Sequence, residues 1–288
     1  MRFRWDWLSP VLQAPYVPTL GPVHPEVLSV DLFHDVLSAA DTGRFLPYDK
    51  DRRWFSSKDE RVIIKEIIHA PDLTLIPTLS TRGRGTIKLH HFAIAPPDFT
   101  DLSRQARCLG NTYGAASAKV IWFHQNPSKA RNRIMLKTYA ARDQIEQPEH
   151  IIELGHCEIA DTFPAFADQL GVAGFAFLYQ RMSAGCDDGP VLVAVDDDRI
   201  VGAVGPLTTL TDAVGVRMVP PQYYAVHPDY RRRGHGRALW KAALAWGLQH
   251  GAAYKVLQAQ TGAPAEYLYL SEGLATLGFI NTRTLSAV

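Results

Sequence analysis

The segment Val226-His227-Pro228-Asp229-Tyr230-Arg231-Arg232-Arg233-Gly234-His235-Gly236-Arg237 sets three consecutive guanidinium groups against two glycines, directly before an apolar run. Charges of one sign packed this closely repel each other, so a bound polyanion would relieve the strain. At a helix start four backbone N–H groups lack an intrahelical partner, and the aligned peptide dipoles add partial positive charge. Glycine there permits positive φ and lets a ligand approach the main chain. Arginine contributes planar donors that stay charged and match phosphate oxygens. The chemistry these residues allow is capture of a phosphate or pyrophosphate. No Gly-Lys-Ser/Thr follows and the glycines lack the G-x-G-x-x-G spacing, which excludes a P-loop and a dinucleotide fingerprint.

Other candidate groups point less sharply. His90 and His91 are adjacent on a strand, so their rings face opposite sides and cannot share a metal; one core and one surface residue are expected. Lys129, Arg131, Arg133 and Lys137 read as a solvated face, with a phosphate-bearing partner as the sharper alternative. Asp196-Asp197-Asp198 reads as a hairpin turn rather than a metal site. Cys108, Cys157 and Cys186 are odd in number and widely spaced, without a CxxC pair. That usage fits a reduced, cytoplasmic protein, and no local base equips a cysteine as nucleophile.

The whole chain sets the frame for these residues. Its 288 residues, 47% hydrophobic and 20% charged, suffice for two buried cores. With 30 basic and 29 acidic side chains, nothing global calls for nucleic acid or a membrane surface. Basic residues prevail over 1–150 and acidic ones over 151–288, so the arginine cluster is a local feature of a mildly acidic half. The start, MRFRWDWLSP, lacks the apolar core of a signal peptide, and no apolar run reaches membrane-spanning length.

Residues 1–25, with Pro10, Pro15, Pro18, Pro22 and Pro25, are expected to form an extended arm pinned by Trp5, Trp7 and Leu8. Residues 26–150 are expected to form a smaller α/β domain, and 151–288 a second one. In the first, a helix is expected over HPEVLSVDLFHDVLSAADTGRF, and β-branched residues favour a strand over DERVIIKEIIHAP. Strands are expected at LTLIPTL, TIKLHHFAIAP, AKVIWFHQN and RIMLKTYA, with a helix at DLSRQARCLGNTYGA. In the second, Gly171 and Gly174 divide FPAFADQLGVAGFAFLYQRM into two short helices. A hairpin turning at Asp196-Asp197-Asp198 follows, then a strand at QYYAVHP, a helix at GHGRALWKAALAWGLQHG and a strand at AYKVLQAQ. A helix over PAEYLYLSEGLATLG and a last strand near FINTRTL complete the chain. This alternation predicts an α/β or α+β fold with crossover helices on a mixed sheet.

The halves share a pattern. HHFAIAP, a helix, Gly114-Ala115-Ala116 and a Lys-Val strand parallel QYYAVHP, a helix, Gly251-Ala252-Ala253 and another Lys-Val strand. The first copy is shorter and lacks the arginine-glycine segment. The N-terminal half is therefore either a degenerate second copy of the C-terminal fold or an unrelated α+β domain.

Strand, Val226-x-Pro228, then Arg231-x-x-Gly234-x-Gly236 opening an apolar helix resembles motif A of the GNAT superfamily of acyl-CoA-dependent N-acyltransferases, V-x-P-x-x-[RQ]-x-x-G-x-[GA]. The resemblance extends over about 150–288 and includes the preceding hairpin and the terminal Leu277-Gly278-Phe279. It implies a GNAT-type mixed central sheet with flanking helices, in a tandem arrangement if the first half is a second copy. It implies that backbone amides from Arg232 to Arg237, through Arg233, Gly234, His235 and Gly236, hold the pyrophosphate of acetyl-CoA or another acyl-CoA, helped by the side chain of Arg231 and its neighbours. Ala225 and Val226 would pair with the pantetheine arm, the Val226 N–H would meet the thioester carbonyl, and no metal is required.

Two departures from the family pattern matter. The strand PPQYYAVHP carries no carboxylate to act as general base, and His227 and His235 fall in loop positions. The acid that protonates the leaving thiolate, a tyrosine in N-x-x-A-x-x-L-Y, falls on Tyr269 with Gly262 in place of Asn, or on Leu274 when counted back from Leu277-Gly278-Phe279. Tyr269 is preferred and Tyr267 stands second, with packing of both as the plain alternative. The implied activity is transfer of an acyl group, acetyl foremost, from CoA to a primary amine of a small molecule by direct attack in a ternary complex. An aminoacyl-tRNA donor on the same fold is one alternative, the one in which a nucleic acid would be a partner. A CoA-binding module without catalysis is another. Acceptor and oligomeric state are not written in the residues.

Overall fold

A computed structural model describes residues 60–70, 73–81, 83–93, 97–124, 130–139, 148, 150–186, 188–211 and 216–285. The Pro-rich arm and the helix expected before residue 46 lie outside them. Packing divides the described chain into two compact units. One comprises the described parts of Met1–Leu136 and Leu257–Val288, the other those of Lys137–Thr211 and Gly215–Val256.

In the first unit the DERVIIKEIIHAP segment gives two short strands, β1 (Glu60–Val62) and β2 (Ile68–Ala70), separated by a 3₁₀ turn. Both pair antiparallel with β3 (Leu73–Ser80), which pairs antiparallel with β4 (Thr86–Ala93). Helix α1 (Phe99–Tyr113) then carries the chain to β5 (Ser117–His124), parallel to β4. Asp98 starts α1 by accepting from the Thr100 and Asp101 N–H groups. Leu102, Ala106 and Leu109, at helical spacing, bury against Ile87, Leu89 and Val120. β6 (Ala130–Thr138) does not pair directly with β5. The chain's last strand, β14 (Ala275–Leu285), lies between the two, antiparallel to both. Leu285 thereby enters the same core as Leu75 and Trp122.

His90 and His91 are both buried, which corrects the expected core-and-surface pair. His90 Nε2 is 3.3 Å from Thr78 Oγ1, and desolvation lowers His91 to about 4, so its ring is neutral at physiological pH. Arg133, expected on a solvated face, is ion-paired through Nε with the buried Glu266 at 2.5 Å. Glu266 lies on α5 (Pro264–Ser271), and its other oxygen accepts the Gly262 N–H at 2.7 Å. The helix expected to run on to Gly278 stops at Ser271. Gly273 takes φ +76, and the β-branched Thr276 already belongs to β14.

The second unit holds an antiparallel sheet in the order β12-β9-β8-β7: β7 (Ile151–Glu153), β8 (Leu192–Asp196), β9 (Arg199–Gly205) and β12 (Tyr223–Val226). The β8–β9 turn is tight because Asp197 and Asp198 both adopt positive φ, 49 and 53. Helices α2 (Phe163–Gln169) and α3 (Phe175–Ser183) cover one face, where Phe163, Phe166, Phe175 and Leu178 meet Val193, Ala203 and Tyr223. Helix α4 (His235–Gln249) covers the other, through Leu239, Ala242 and Ala243 against Leu192, Val201 and Val204.

Gly174 ends the short turn between α2 and α3 at φ +92, and a Cβ built there would lie 2.1 Å from Tyr223 Cε1. Gly174→Ala is expected to destabilise the fold by roughly 1–3 kcal/mol, a cost of overpacking read from the midpoint of chemical denaturation.

Three further strands bear on the site: β10 (Leu210–Thr211) antiparallel to β11 (Arg217–Val219), and β11 parallel to the start of β13 (Tyr254–Gln260). The two crossover helices end alike. Gly114 and Gly251 sit at φ +70 and +72, and the next N–H, of Ala115 and Ala252, donates five residues back to Gly110 and Gly247. The repeat seen in the sequence is thus also a repeat of cap geometry.

Candidate functional site

The segment from Arg217 to Val226 changes partners midway. β11 pairs with β13 through Met218↔Tyr254 and Val219↔Lys255, and then Pro220-Pro221 interrupts it. Proline has no N–H to continue the ladder, and the chain re-enters a sheet as β12, paired with β9. The strand leaves β13 at this point, so the two strands splay apart.

Register decides which backbone groups of β12 are available. His227 N–H donates to Val201 O, so in an antiparallel ladder Ala225 also exchanges its bonds with β9. Val226 and Tyr224 direct their N–H and C=O groups to the other edge, and β12 is the edge strand of its sheet. The expected pairing of Ala225 with a pantetheine arm is corrected by this alternation, because its hydrogen-bonding groups are committed to β9. The Val226 N–H, by the same alternation, points away from β9.

Beyond β12 the chain makes one 3₁₀ turn over Pro228–Tyr230, then passes through Arg232 at φ +65 and Gly234 at φ +93 into α4. Among the described residues no side chain caps α4 and its first turn holds no acid, and the first N–H groups, such as those of His235 and Gly236, have no intrahelical acceptor. Ala238 N–H makes the first intrahelical bond, to Gly234 O. Tyr224 Oη donates to Gly236 O at 2.6 Å, and a Cβ at Gly236 would sit 3.0 Å from that hydroxyl. Gly236 therefore also serves the close approach of helix to strand.

The arginines divide their work. Arg231 Nε donates to Val226 O at 3.2 Å. Arg233 lies 3.6 Å from Asp196 Oδ2, with its guanidinium 4.8 Å from the Tyr230 ring centroid. Arg232 is exposed and has no side-chain contact among the described residues. His235 turns its ring inward, where Nε2 meets Asp196 Oδ2 at 3.0 Å and Nδ1 has no partner among the described residues. Its place at the loop is thus through its main chain, while its side chain ties α4 to the β8–β9 turn. His227 Nδ1 accepts the Asp229 N–H at 3.4 Å, acting as a cap for the turn.

Tyr269 is buried, and desolvation pushes its hydroxyl well above the ordinary tyrosine range. Tyr267 is 63% exposed. Gly262, where the motif has asparagine, adopts φ +77, a conformation that asparagine tolerates better than most residues.

Sequence reasoning missed three residues of this region. Asp196 anchors His235 and Arg233, and its signal was the triple-aspartate turn. Tyr224 bonds α4. Lys255 is fully buried where the strands part, with Nζ donating to Pro220 O at 2.9 Å and to Gln222 Oε1. Desolvation lowers its amine to about 7. A lysine within an apolar strand, 35 residues after a Pro-Pro pair, was the signal available.

Residues 159–271 match the model of the acetyltransferase (GNAT) family. Among solved structures, a tandem GNAT protein from the clavulanic acid biosynthesis pathway aligns over 98% of this chain and 94% of its own at 13% identity, with a TM-score of 0.52. A GCN5-related N-acetyltransferase from Sphaerobacter thermophilus aligns over 77% and 84% at 16% identity, with a TM-score of 0.47. An acetyltransferase of the same family from Colwellia psychrerythraea aligns over 90% and 97% at 9% identity, with a TM-score of 0.48. No curated protein matches the sequence. At 13% identity the likeness to the tandem GNAT protein speaks for the fold alone. The likeness to the GNAT acetyltransferase family is thus carried by residues 159–271.

Proposed function

We propose that the protein transfers an acyl group, acetyl foremost, from an acyl-CoA to a primary amine of a small molecule by direct attack in a ternary complex. The observation that carries this reading is the pairing of an open β12 edge with an uncapped, acid-free α4 start. The first suits an extended amide-bearing arm, the second a pyrophosphate. Both follow from one unbroken segment, Tyr223–Arg237. The family match supports acyl-CoA as donor.

In this reading the amides from Arg232 to Arg237 hold the pyrophosphate, and Arg232, exposed and without a side-chain hydrogen bond or ion pair among the described residues, assists. The Val226 N–H meets the thioester oxygen and stabilises the oxyanion as the amine nitrogen bonds to the carbonyl carbon. The carbon–sulfur bond then breaks, the thiolate takes a proton, a role that the motif resemblance gives to Tyr269, and the nitrogen releases its own to solvent. β12 offers no carboxylate, and the Nδ1 lone pair of His227 is occupied by the Asp229 N–H. In this reading the acceptor arrives as the neutral amine, and the rate rises with pH towards the amine's own pKa.

Turnover of acetyl-CoA with a panel of small primary amines, followed by free thiol, tests the reaction. Acetyl-CoA that binds without turnover on any amine would leave the binding-module alternative. Tyr269→Phe is expected to lower kcat about tenfold or more with little change in KM, the mark of a proton delivered in the transition state. An unchanged kcat would remove Tyr269 from the mechanism.

A further inference from the structure

A cavity of about 620 Å³ opens within the second unit, between α2, the start of β9 and the turn that follows β12. Its size is that of a small-molecule site. Phe166, Ala165, Ile200 and Val201 give it an apolar wall. Asp198, Arg199, Asp229 and Arg233 add two charges of each sign.

The charges are not equally engaged. Arg233 is held by Asp196 and Tyr230, and Asp229 neighbours His227 Nδ1 at 3.8 Å. Asp198 and Arg199 have no side-chain hydrogen bond or ion pair among the described residues, although they adjoin at the β8–β9 turn. The Gln169 amide, also on the wall, is likewise unpartnered among them. The Asp229 N–H occupies Nδ1 of His227 and leaves Nε2 as that ring's donor. A purely anionic ligand would meet two carboxylates here, and a purely cationic one two guanidinium groups. A ligand carrying both charges satisfies Arg199 and Asp198 together and leaves the site neutral.

We propose that this cavity is a second ligand site, built for an amino-acid-like zwitterion with an apolar side chain. The carboxylate pairs with Arg199, the ammonium with Asp198, and the side chain lies on Phe166 and Ile200, which share one face of the sheet. Its lining includes no residue of β12 itself. Asp229, Tyr230 and Arg233 belong to its wall and to the loop before α4, so occupancy would steady that loop.

Equilibrium dialysis of the full chain with labelled L-phenylalanine tests the site. Saturable binding is expected, with 3-phenylpropionate, which lacks the amine, and 2-phenylethylamine, which lacks the carboxylate, each at least tenfold weaker as competitors. Arg199→Gln and Asp198→Asn should each weaken L-phenylalanine tenfold or more while acetyl-CoA affinity stays unchanged. Asparagine tolerates the positive φ of residue 198. Should Arg199→Gln lose its thermal transition, Arg199→Lys, which keeps the charge but loses the bidentate fork, is expected to bind with intermediate strength. Absence of saturable binding, or binding indifferent to both substitutions, overturns the proposal. So does adenosine 3′,5′-bisphosphate if it displaces L-phenylalanine and itself weakens in Arg199→Gln, because the cavity would then hold the nucleotide end of CoA. L-phenylalanine binding without acetyl-CoA binding would retire the acyl-transfer reading and keep the cavity.

Discussion

Gly236→Trp is expected to weaken acetyl-CoA by a hundredfold or more in isothermal titration, about 2.8 kcal/mol, while the protein stays folded. The Cβ position at Gly236 already lies 3.0 Å from Tyr224 Oη, so an indole must turn outward, over the N–H groups of the first α4 turn. Among the described residues, α4 has neither a side-chain cap nor an acid in that turn. Leu239, Ala242 and Ala243 anchor the helix in the core farther along, and that burial should preserve the fold. Gly236→Ala is the graded control. Tyr224 must yield a few tenths of an ångström, and a loss well short of that for tryptophan is expected. A folded Gly236→Trp that binds acetyl-CoA normally would show that this helix start does not hold the pyrophosphate.

Stability should rise with pH between about 7.5 and 9.5, and Lys255→Met should abolish the rise. Burial lowers the folded amine of Lys255 to about 7 against an ordinary value of 10.5. Between those values the unfolded chain binds a proton that the folded chain does not. Linkage then adds stability with increasing pH, up to roughly 1.4 kcal/mol per unit for one such group. Urea unfolding at pH 7.5 and 9.5 measures it, by a midpoint that moves upward in the parent and stays level in Lys255→Met. A parent midpoint that is flat or falls over this window would mean the amine is charged and solvated. The position sharpens the consequence. Nζ ties Pro220 O and Gln222 Oε1 at the point where β11 parts from β13, so Lys255→Met should also loosen the start of β12 and raise KM for acetyl-CoA.

Much of the architecture was legible because its causes are local. Gly171 and Gly174 divided α2 from α3. Three aspartates made a tight turn between two apolar strands. Gly114 and Gly251 closed two crossover helices in the same way. The arginine-glycine segment marked a helix start with neither cap nor acid. What escaped was non-local. Nothing in FINTRTL says that β14 inserts between β5 and β6, because an apolar β-branched run can pair with any complementary edge. The end of α5 was missed because Ala275 and Thr276 continue the chain without a proline, and Gly273 stops the helix only by adopting positive φ.

The same division holds at the site. The sequence by itself determined that a glycine-flanked helix start follows a strand, since helix polarity and glycine freedom depend on neighbouring residues alone. Only the tertiary structure decided which backbone groups face the open edge, because alternation is counted from the His227–Val201 bond to β9. It also placed Asp196 under His235 and buried Lys255 at the splay. Such partners lie 35 to 39 residues apart, and only packing of the sheet brings them together.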